Sequence, residues 1–256
     1  MALASAAIVA ATAFPRSAAA EMATVFASNF NAVPLGPFTN ANTLLAWSQV
    51  PVGDLVDFDA AGNFFSIVAD ADGSRYCRIW YPANQAGMGS KDYHIRLHAP
   101  VAYPITVEYD FMLEAGSDIS FGPGKIPARV TIGTMDTNPV GVLAMWNWSS
   151  RQGTNAKPYG AILQNQPDGA QLAQPPAYTP TNVTFGNWDH FKMVFGPGIA
   201  SWERNGQLIH SQTNTGAIKA TDPAMVGFGF WNGGGAWVGP DKWGRIKNIV
   251  VTIGTP

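Results

Sequence analysis

Apolar and polar residues alternate with a period of two in many short stretches of this chain, which is the pattern of half-buried β-strands. In the stretch 106–114 the apolar residues Val107, Tyr109, Phe111 and Leu113 alternate with polar ones, and we expect them in a core. No stretch of real length has the helical period. The predicted strands cover 75–81, 93–99, 106–114, 129–134, 140–148, 159–165, 188–195, 199–204, 207–212, 224–231 and 244–253, with a strand pair across 57–69.

Turn sequences separate these strands. Asn205-Gly206 lies between two of them and is the strongest hairpin signal in the chain, while Asp72-Gly73 predicts a second tight turn. Many short strands joined by tight turns, with no helix and no repeat, indicate an all-β protein. The simplest architecture is a jelly-roll β-sandwich, in which two antiparallel sheets pack face to face.

The composition agrees with this class and narrows the partners. Only 12% of the residues are charged, while 27 glycines and 19 prolines supply turns, which argues against a helical bundle. The formal charge of -2, with no basic run, predicts neither a nucleic acid nor a membrane surface as partner. Cys77 is the only cysteine, so no internal disulfide can form, and we expect a buried thiol.

The first twenty residues are distinct from the rest. Ala2 to Phe14 is apolar and rich in small residues, and Ala18-Ala19-Ala20 offers a cleavage site before Glu21. This pattern predicts a signal peptide over residues 1–20 and a single domain over 21–256. We therefore expect a secreted monomer, extracellular or periplasmic.

Candidate binding residues lie on the polar faces of two predicted strands. Lys125 and Arg129 follow the strand-breaking residues Gly122, Pro123 and Gly124. If the alternation after them is unbroken, the two cations share one face of their strand. The strand 93–99 carries His94, Arg96 and His98 on its polar face. Together they form a local cationic surface in a chain of negative net charge, which favours an anionic polymer as the partner.

Several short motifs follow one another along the chain in a characteristic order. They are Tyr81-Pro82-Ala83-Asn84, Val107-Glu108-Tyr109-Asp110-Phe111, Gly122-Pro123-Gly124-Lys125-Ile126-Pro127, Met145-Trp146, Gly186-Asn187-Trp188, Arg204-Asn205-Gly206, the glycine-rich stretch 229–234 and Ile246-Lys247-Asn248-Ile249. This order resembles that of the polysaccharide lyases of family fourteen and the related glucuronan lyases. The resemblance covers most of residues 75–253. It implies a concanavalin A-like jelly roll whose concave face holds a uronate-containing polysaccharide of the alginate or glucuronan type, which is cleaved by β-elimination.

The resemblance also implies a site. Lys125 matches the lysine of the family motif, whereas the family serine and arginine fall at Gly141 and Leu143, and the second tyrosine of the family pair falls at Ala161. The expected catalytic residues are Lys125, Tyr159, Asn147 and His94, and the expected substrate-binding residues are Arg129, Arg96, His98 and Trp231.

Three other interpretations stay open. The missing serine, arginine and tyrosine favour a lectin-like module that binds polysaccharide without cleaving it. A glycoside hydrolase needs paired carboxylates. Glu108, Asp110 and Glu114 are spaced by even numbers of residues, so they fall on the same face of the predicted strand. Asp70-x-Asp72-Gly73 is similar to the start of a calcium loop, so a structural calcium is possible, but Tyr81 stands where the closing glutamate is needed and a hairpin turn is favoured. We assign Trp80 and Trp188 to the core.

Overall fold

The computed structural model describes residues 22–38, 53–58, 64–84, 89–97, 102–114, 125–134, 144–146, 162–164, 186–213, 224–232 and 241–254. Every regular element in these residues is a β-strand. The strands are β1 (Met22–Ser28), β2 (Gly36–Pro37), β3 (Gly53–Phe58), β4 (Phe65–Ala69), β5 (Arg75–Tyr81), β6 (Gly89–Leu97), β7 (Ile105–Leu113), β8 (Lys125–Thr134), β9 (Ala144–Trp146), β10 (Ile162–Gln164), β11 (Asp189–Gly196), β12 (Ile199–Arg204), β13 (Gln207–Gln212), β14 (Ala224–Asn232) and β15 (Lys242–Gly254).

The described strands form two antiparallel sheets. The larger has the order β13-β12-β11-β7-β15-β5-β4-β2, with β1 also paired to β15. The smaller has the order β10-β9-β8-β14-β6-β3. Sequence neighbours often lie in different sheets: β3 pairs with β6, whereas β4 pairs with β2 and β5. The predicted strand pair across 57–69 is therefore wrong, because its two strands belong to opposite sheets.

The core lies between the two sheets. In β7 the residues Val107, Tyr109 and Phe111 are fully buried, and Leu113 is 2% exposed, as their alternation predicts. Aromatic rings make contacts between the sheets, because Phe65 of the larger sheet lies 4.8 Å from Tyr93 and 6.1 Å from Phe228 of the smaller. Cys77 is also fully buried, as expected. The predicted all-β sandwich is confirmed.

Both predicted turns are confirmed. Asn205 and Gly206 connect β12 to β13 with φ angles of 50° and 76°, the left-handed pair that a two-residue hairpin turn needs. The second turn joins β4 to β5, where the Gly73 amide donates to Asp70 O and Asp72 accepts hydrogen bonds from the Ser74 amide and hydroxyl. These two hydrogen bonds, the side-chain one first, lower the pKa of Asp72.

Strand β15 organises the larger sheet. It pairs with β7 on one side, and on the other side it pairs first with β5 and then with β1. Its register along β7 shifts between Lys247 and Val250, and Asn248 at the shift has a φ of 52°. Neither β1 nor β2 was predicted from the sequence. The predicted signal peptide, 1–20, lies outside the described residues.

Candidate functional sites

The predicted site residues collect on three neighbouring strands of the smaller sheet. Lys125 and Arg129 lie in β8, His94 and Arg96 in β6, and Trp231 in β14, which is hydrogen-bonded to both. Asn147, Tyr159 and His98 lie outside the described residues. Residues more than a hundred positions apart in the chain therefore occupy adjacent strands in the middle of one sheet.

Backbone pairing orders these positions into rows. The core residues Tyr93, Val130 and Phe228 mark one face of the smaller sheet, and the positions that alternate with them mark the other, which we call the far face. Three rows cross the far face from β8 through β14 to β6: Arg129–Gly229–Asp92, Thr131–Gly227–His94 and Gly133–Met225–Arg96.

Glycines occupy the middle of two of these rows. Gly229 lies between Arg129 and Asp92, and Gly227 lies between Thr131 and His94. Both glycines are buried. A strand-interior glycine leaves a gap in the layer of side chains, which is typical of a place that a ligand approaches closely.

The unbroken alternation expected between Lys125 and Arg129 is interrupted. Arg129 pairs with Gly229, but the next aligned pair is Ile126 with Trp231, so β8 carries one extra residue between them. Lys125 then pairs with Asn232, which has the same parity as the core residue Phe230, so the register takes Lys125 off the face that carries Arg129, and the predicted shared face is wrong. Pro127 gives the physical reason, because β8 is an interior strand and a proline there cannot donate to the ladder and is confined to bulges.

A second group of functional side chains, which the sequence reasoning missed, lies on the larger sheet. We call the side of that sheet that points away from the core its outer face. There Arg78 of β5 and Arg245 of β15 are direct cross-strand neighbours. Glu114 joins them: it accepts from Arg78 Nε and Nη2 at 2.6 and 2.7 Å and from Arg245 Nε at 2.9 Å. Two like charges that face each other across a sheet thus share one carboxylate as their counter-ion.

Aromatic rings surround this charged group. The Arg78 guanidinium lies 3.6 Å from the ring centre of Trp243, which stacks on Trp80 at 5.9 Å. The Arg245 guanidinium lies 4.6 Å from the ring centre of Tyr76, and burial raises the pKa of that phenol. Trp80 is half-buried on the outer face, so its assignment to the core is wrong.

Trp188 is also half-buried on the outer face, which corrects its assignment to the core. Its indole Nε1 donates to Asp70 Oδ2 at 3.3 Å, and Lys247 Nζ lies 4.4 Å from its ring centre. An open cleft of about 400 Å³ begins beside it, lined by Asp70, Met112, Glu114, Gly186, Trp188 and Arg245. Strand parity could have placed Arg78 and Arg245 on this face, but no sequence signal pairs them with Glu114.

The carboxylates considered for hydrolysis lie on the same outer face, and each has partners. Asp110 Oδ1 is 2.9 Å from His190 Nδ1, and its Oδ2 accepts from Asn248 Nδ2 at 2.7 Å. Glu108 lies 3.8 Å from both His190 and Lys192. Glu108, Asp110 and Glu114 therefore lie on one face, as predicted. Glu108 and Asp110 belong to an exposed ion-pair network with His190 at its centre.

No group of three or more His, Cys, Asp or Glu side chains in the described ranges is arranged to hold a metal ion. The same ranges contain no helix with the length and hydrophobicity that a bilayer crossing requires.

Comparisons with known proteins establish the fold. No family model matches the chain, and no curated protein matches it in sequence. The alginate lyase vAL-1 from a Chlorella virus is 13% identical over 79% of this chain and 92% of its own, with a TM-score of 0.50. A glycoside hydrolase family 16 endo-glucanase from Bacteroides ovatus is 12% identical over 78% and 94%, with a TM-score of 0.48. Peanut lectin is 10% identical over 91% and 97%, with a TM-score of 0.47. At 13% identity the likeness to the alginate lyase shows the fold alone, and together with the two antiparallel sheets it confirms the predicted concanavalin A-like jelly roll.

Proposed function

We propose that this protein is a secreted polysaccharide lyase that cleaves a uronate-containing polymer, of the alginate or glucuronan type, on the far face of the smaller sheet. One observation carries the proposal: the backbone register aligns Arg129, Asp92 and His94 around the two central glycines of β14. Ionisable residues that flank a gap in the side-chain layer suit a charged sugar chain lying across the strands. The similar fold of the alginate lyase vAL-1 supports the same class of substrate.

The β-elimination reaction assigns a task to each kind of residue. A base removes the proton at C5 of the uronate, the electron pair forms the C4–C5 double bond, and the C4–O bond breaks. The departing oxygen takes up a proton, so atoms and charge balance. A cation beside the carboxylate stabilises the negative charge that develops when C5 loses its proton.

This chain offers candidates for every task. Arg129 is the far-face cation for the uronate carboxylate, with Asn147 as an amide donor, and Lys125, which the register shift takes off the far face, is a second cation at the end of β8. His94 is a base whose ordinary pKa, about 6.5, is close to working pH. Tyr159 is the proton carrier for the departing oxygen. Arg96, His98 and Trp231 extend the binding surface.

The proposal is tested by mixing the protein with alginate and with glucuronan and following the ultraviolet absorbance of the unsaturated product. We expect activity on at least one polymer and a loss of about a hundredfold or more in Arg129→Ala, since charge stabilisation of this kind is worth about that factor. Lys192→Ala removes a cation from the outer face of the larger sheet and is the matched control, with unchanged activity expected. Full activity in Arg129→Ala would contradict the proposed site.

A lectin-like module is the second candidate, and one structural observation favours it. Because of the register shift in β8, Lys125 does not lie on the strand face that carries Arg129. The two cations therefore do not form the shared-face pair that the cleavage site was expected to contain. Retention on an immobilised uronan, weakened in Arg129→Ala and accompanied by no unsaturated product, would establish binding without cleavage.

A further inference from the structure

The open cleft on the outer face of the larger sheet lies on the opposite side of the sandwich from the proposed lyase site. Asp70 from the β4–β5 turn and Arg245 from β15 line it, together with Trp188 just before β11. Its volume of about 400 Å³ is within the usual range for small-ligand pockets, roughly 300–1,000 Å³. We propose that this cleft is a second saccharide-binding site, specific for a sugar that carries a carboxylate.

Arg245 supplies the donor that such a site requires. Its Nε is bound to Glu114 at 2.9 Å and its guanidinium lies over Tyr76, so the plane of the group is held from two sides. Its two terminal nitrogens have no hydrogen-bond partner among the described residues, and the side chain is 24% exposed. An oriented guanidinium with both terminal nitrogens available matches a carboxylate, which it binds through two parallel hydrogen bonds.

Arg78, by contrast, has committed two of its three nitrogens. Its Nε and Nη2 both bind Glu114, and its guanidinium plane lies against Trp243. Glu114 is therefore neutralised chiefly by Arg78, which leaves Arg245 free to receive a ligand without giving up its contact to Glu114.

Trp188 and Asp70 supply the other half of the site. The indole of Trp188 is fixed by its hydrogen bond to Asp70 and by Lys247 above the ring, and it forms an apolar wall suited to the C–H groups of a sugar ring. The Asp70 carboxylate is 29% exposed and can accept from a sugar hydroxyl. An apolar ring, a fixed guanidinium and a carboxylate that line one cleft are complementary to a pyranose ring, which presents C–H groups and hydroxyls together.

The charge around the cleft selects the kind of sugar. Arg245 is the cation among the residues that line the cleft, and the two lining carboxylates have their own partners, Glu114 in Arg78 and Asp70 in Lys247 at 4.0 Å, so the Arg245 charge is left for a ligand. A uronate therefore fits better than a neutral sugar. This assignment does not depend on the lyase activity, because it uses no residue of the smaller sheet.

The test is a titration of the ¹⁵N-labelled protein, in which the Trp188 indole signal is identified by its absence from Trp188→Phe. We expect an alginate trisaccharide to shift this signal and arabinotriose to leave it in place. Arg245→Gln is expected to weaken the binding by about tenfold or more, the effect of one charge-assisted contact. Lys192→Gln, which removes a cation from the same face outside the cleft, is expected to bind as the parent protein does.

Three results would overturn the proposal: no shift of the Trp188 signal, an equal response to arabinotriose, or unchanged affinity in Arg245→Gln. Arg245→Lys retains the charge but not the two-pronged geometry, so it provides a second test if Arg245→Gln does not fold. Arg129→Ala separates this site from the lyase site, because it is expected to abolish cleavage and leave the Trp188 shift intact. Loss of that shift in Arg129→Ala would mean that the cleft is not an independent site.

Discussion

Removal of the Glu114 carboxylate is the sharpest test of the outer-face network. The structure places Arg78 and Arg245 directly opposite each other on β5 and β15, with Glu114 as the shared counter-ion of both. In Glu114→Ala both guanidinium groups lose this partner, and two like charges are left facing each other across the sheet.

The size of the effect follows from burial. The Glu114 side chain is 12% exposed, and the two arginine side chains are 31% and 24% exposed. Breaking a fully buried ion pair costs about 3–5 kcal/mol, whereas exposed pairs are worth at most about 1 kcal/mol. Water can reach the partly exposed arginines, so we expect a loss of about 2 kcal/mol in the free energy of unfolding. For a domain of this size that loss lowers Tm by about 4–8 °C.

Urea unfolding followed by circular dichroism measures this change. Glu108→Ala is the matched control, because Glu108 is 43% exposed on the same face and its ion pairs are 3.8 Å long. We expect the control to change the stability by less than about 0.5 kcal/mol. A double-mutant cycle of Glu114→Ala with Arg78→Ala isolates the pair, and we expect a coupling of about 1 kcal/mol or more. A coupling near zero, or equal effects of Glu114→Ala and Glu108→Ala, would refute the reasoning.

Three further predictions concern the core and one close backbone contact. Phe191 is stacked between two other core rings, and Phe191→Ala is expected to cost about 3–5 kcal/mol by urea unfolding, against less than about 0.5 kcal/mol for Leu208→Ala, which is 57% exposed. A Cβ at Gly254 would lie 2.6 Å from the Tyr103 carbonyl oxygen, so Gly254→Ala is expected to lower stability by about 1–3 kcal/mol, and an unchanged Tm would contradict this contact. Burial raises the pKa of the Cys77 thiol. As pH rises above the ordinary thiol pKa of about 8.5, the thiol ionises in the unfolded chain but not yet in the folded protein, so the free energy of unfolding falls. Cys77→Ala should flatten this alkaline decline, and an unchanged slope would contradict the assignment.

The strands were predictable where alternation and turn residues agree. β5, β12 and β13 have the predicted bounds, since each lies next to a tight turn with a clear sequence signal and buries alternate residues. β1 and β2 were missed because their stability comes from pairing with distant strands rather than from a local pattern. The assignment of strands to sheets is also non-local, which is why 57–69 was misread as one strand pair.

The candidate sites were less predictable than the fold. Trp80 and Trp188 were placed in the core because tryptophan is usually buried, but a ring can lose most of its exposure against charged groups on an outer face as well as in a core. The register shift in β8 has a sequence signal in Pro127, which strict alternation overlooked. The link from Arg78 through Glu114 to Arg245 joins three strands and has no signal in any one of them.

The two proposed sites, taken together, make a further prediction about polymers. The far face and the outer face point away from each other across two packed sheets, so one polysaccharide chain cannot occupy both without passing around an edge of the sandwich. A protein with both sites would therefore join two chains and gain avidity on long polymers that it lacks on short ones. We expect polymeric alginate to form large complexes with the protein, detected by light scattering under conditions where cleavage is blocked by Tyr159→Phe, which removes the proposed proton carrier and keeps Arg129.

Adding Arg245→Gln to this background should abolish the scattering, whereas Lys192→Gln should not. An alginate trisaccharide, which is too short to bridge two molecules, serves as the ligand control and should produce no large complexes. If scattering with the polymer persists in Arg245→Gln, the bridging chain is not held by the outer-face cleft. In that case the polymer is joined through the smaller sheet alone, and the second saccharide site is contradicted by a measurement that does not depend on any single tryptophan signal.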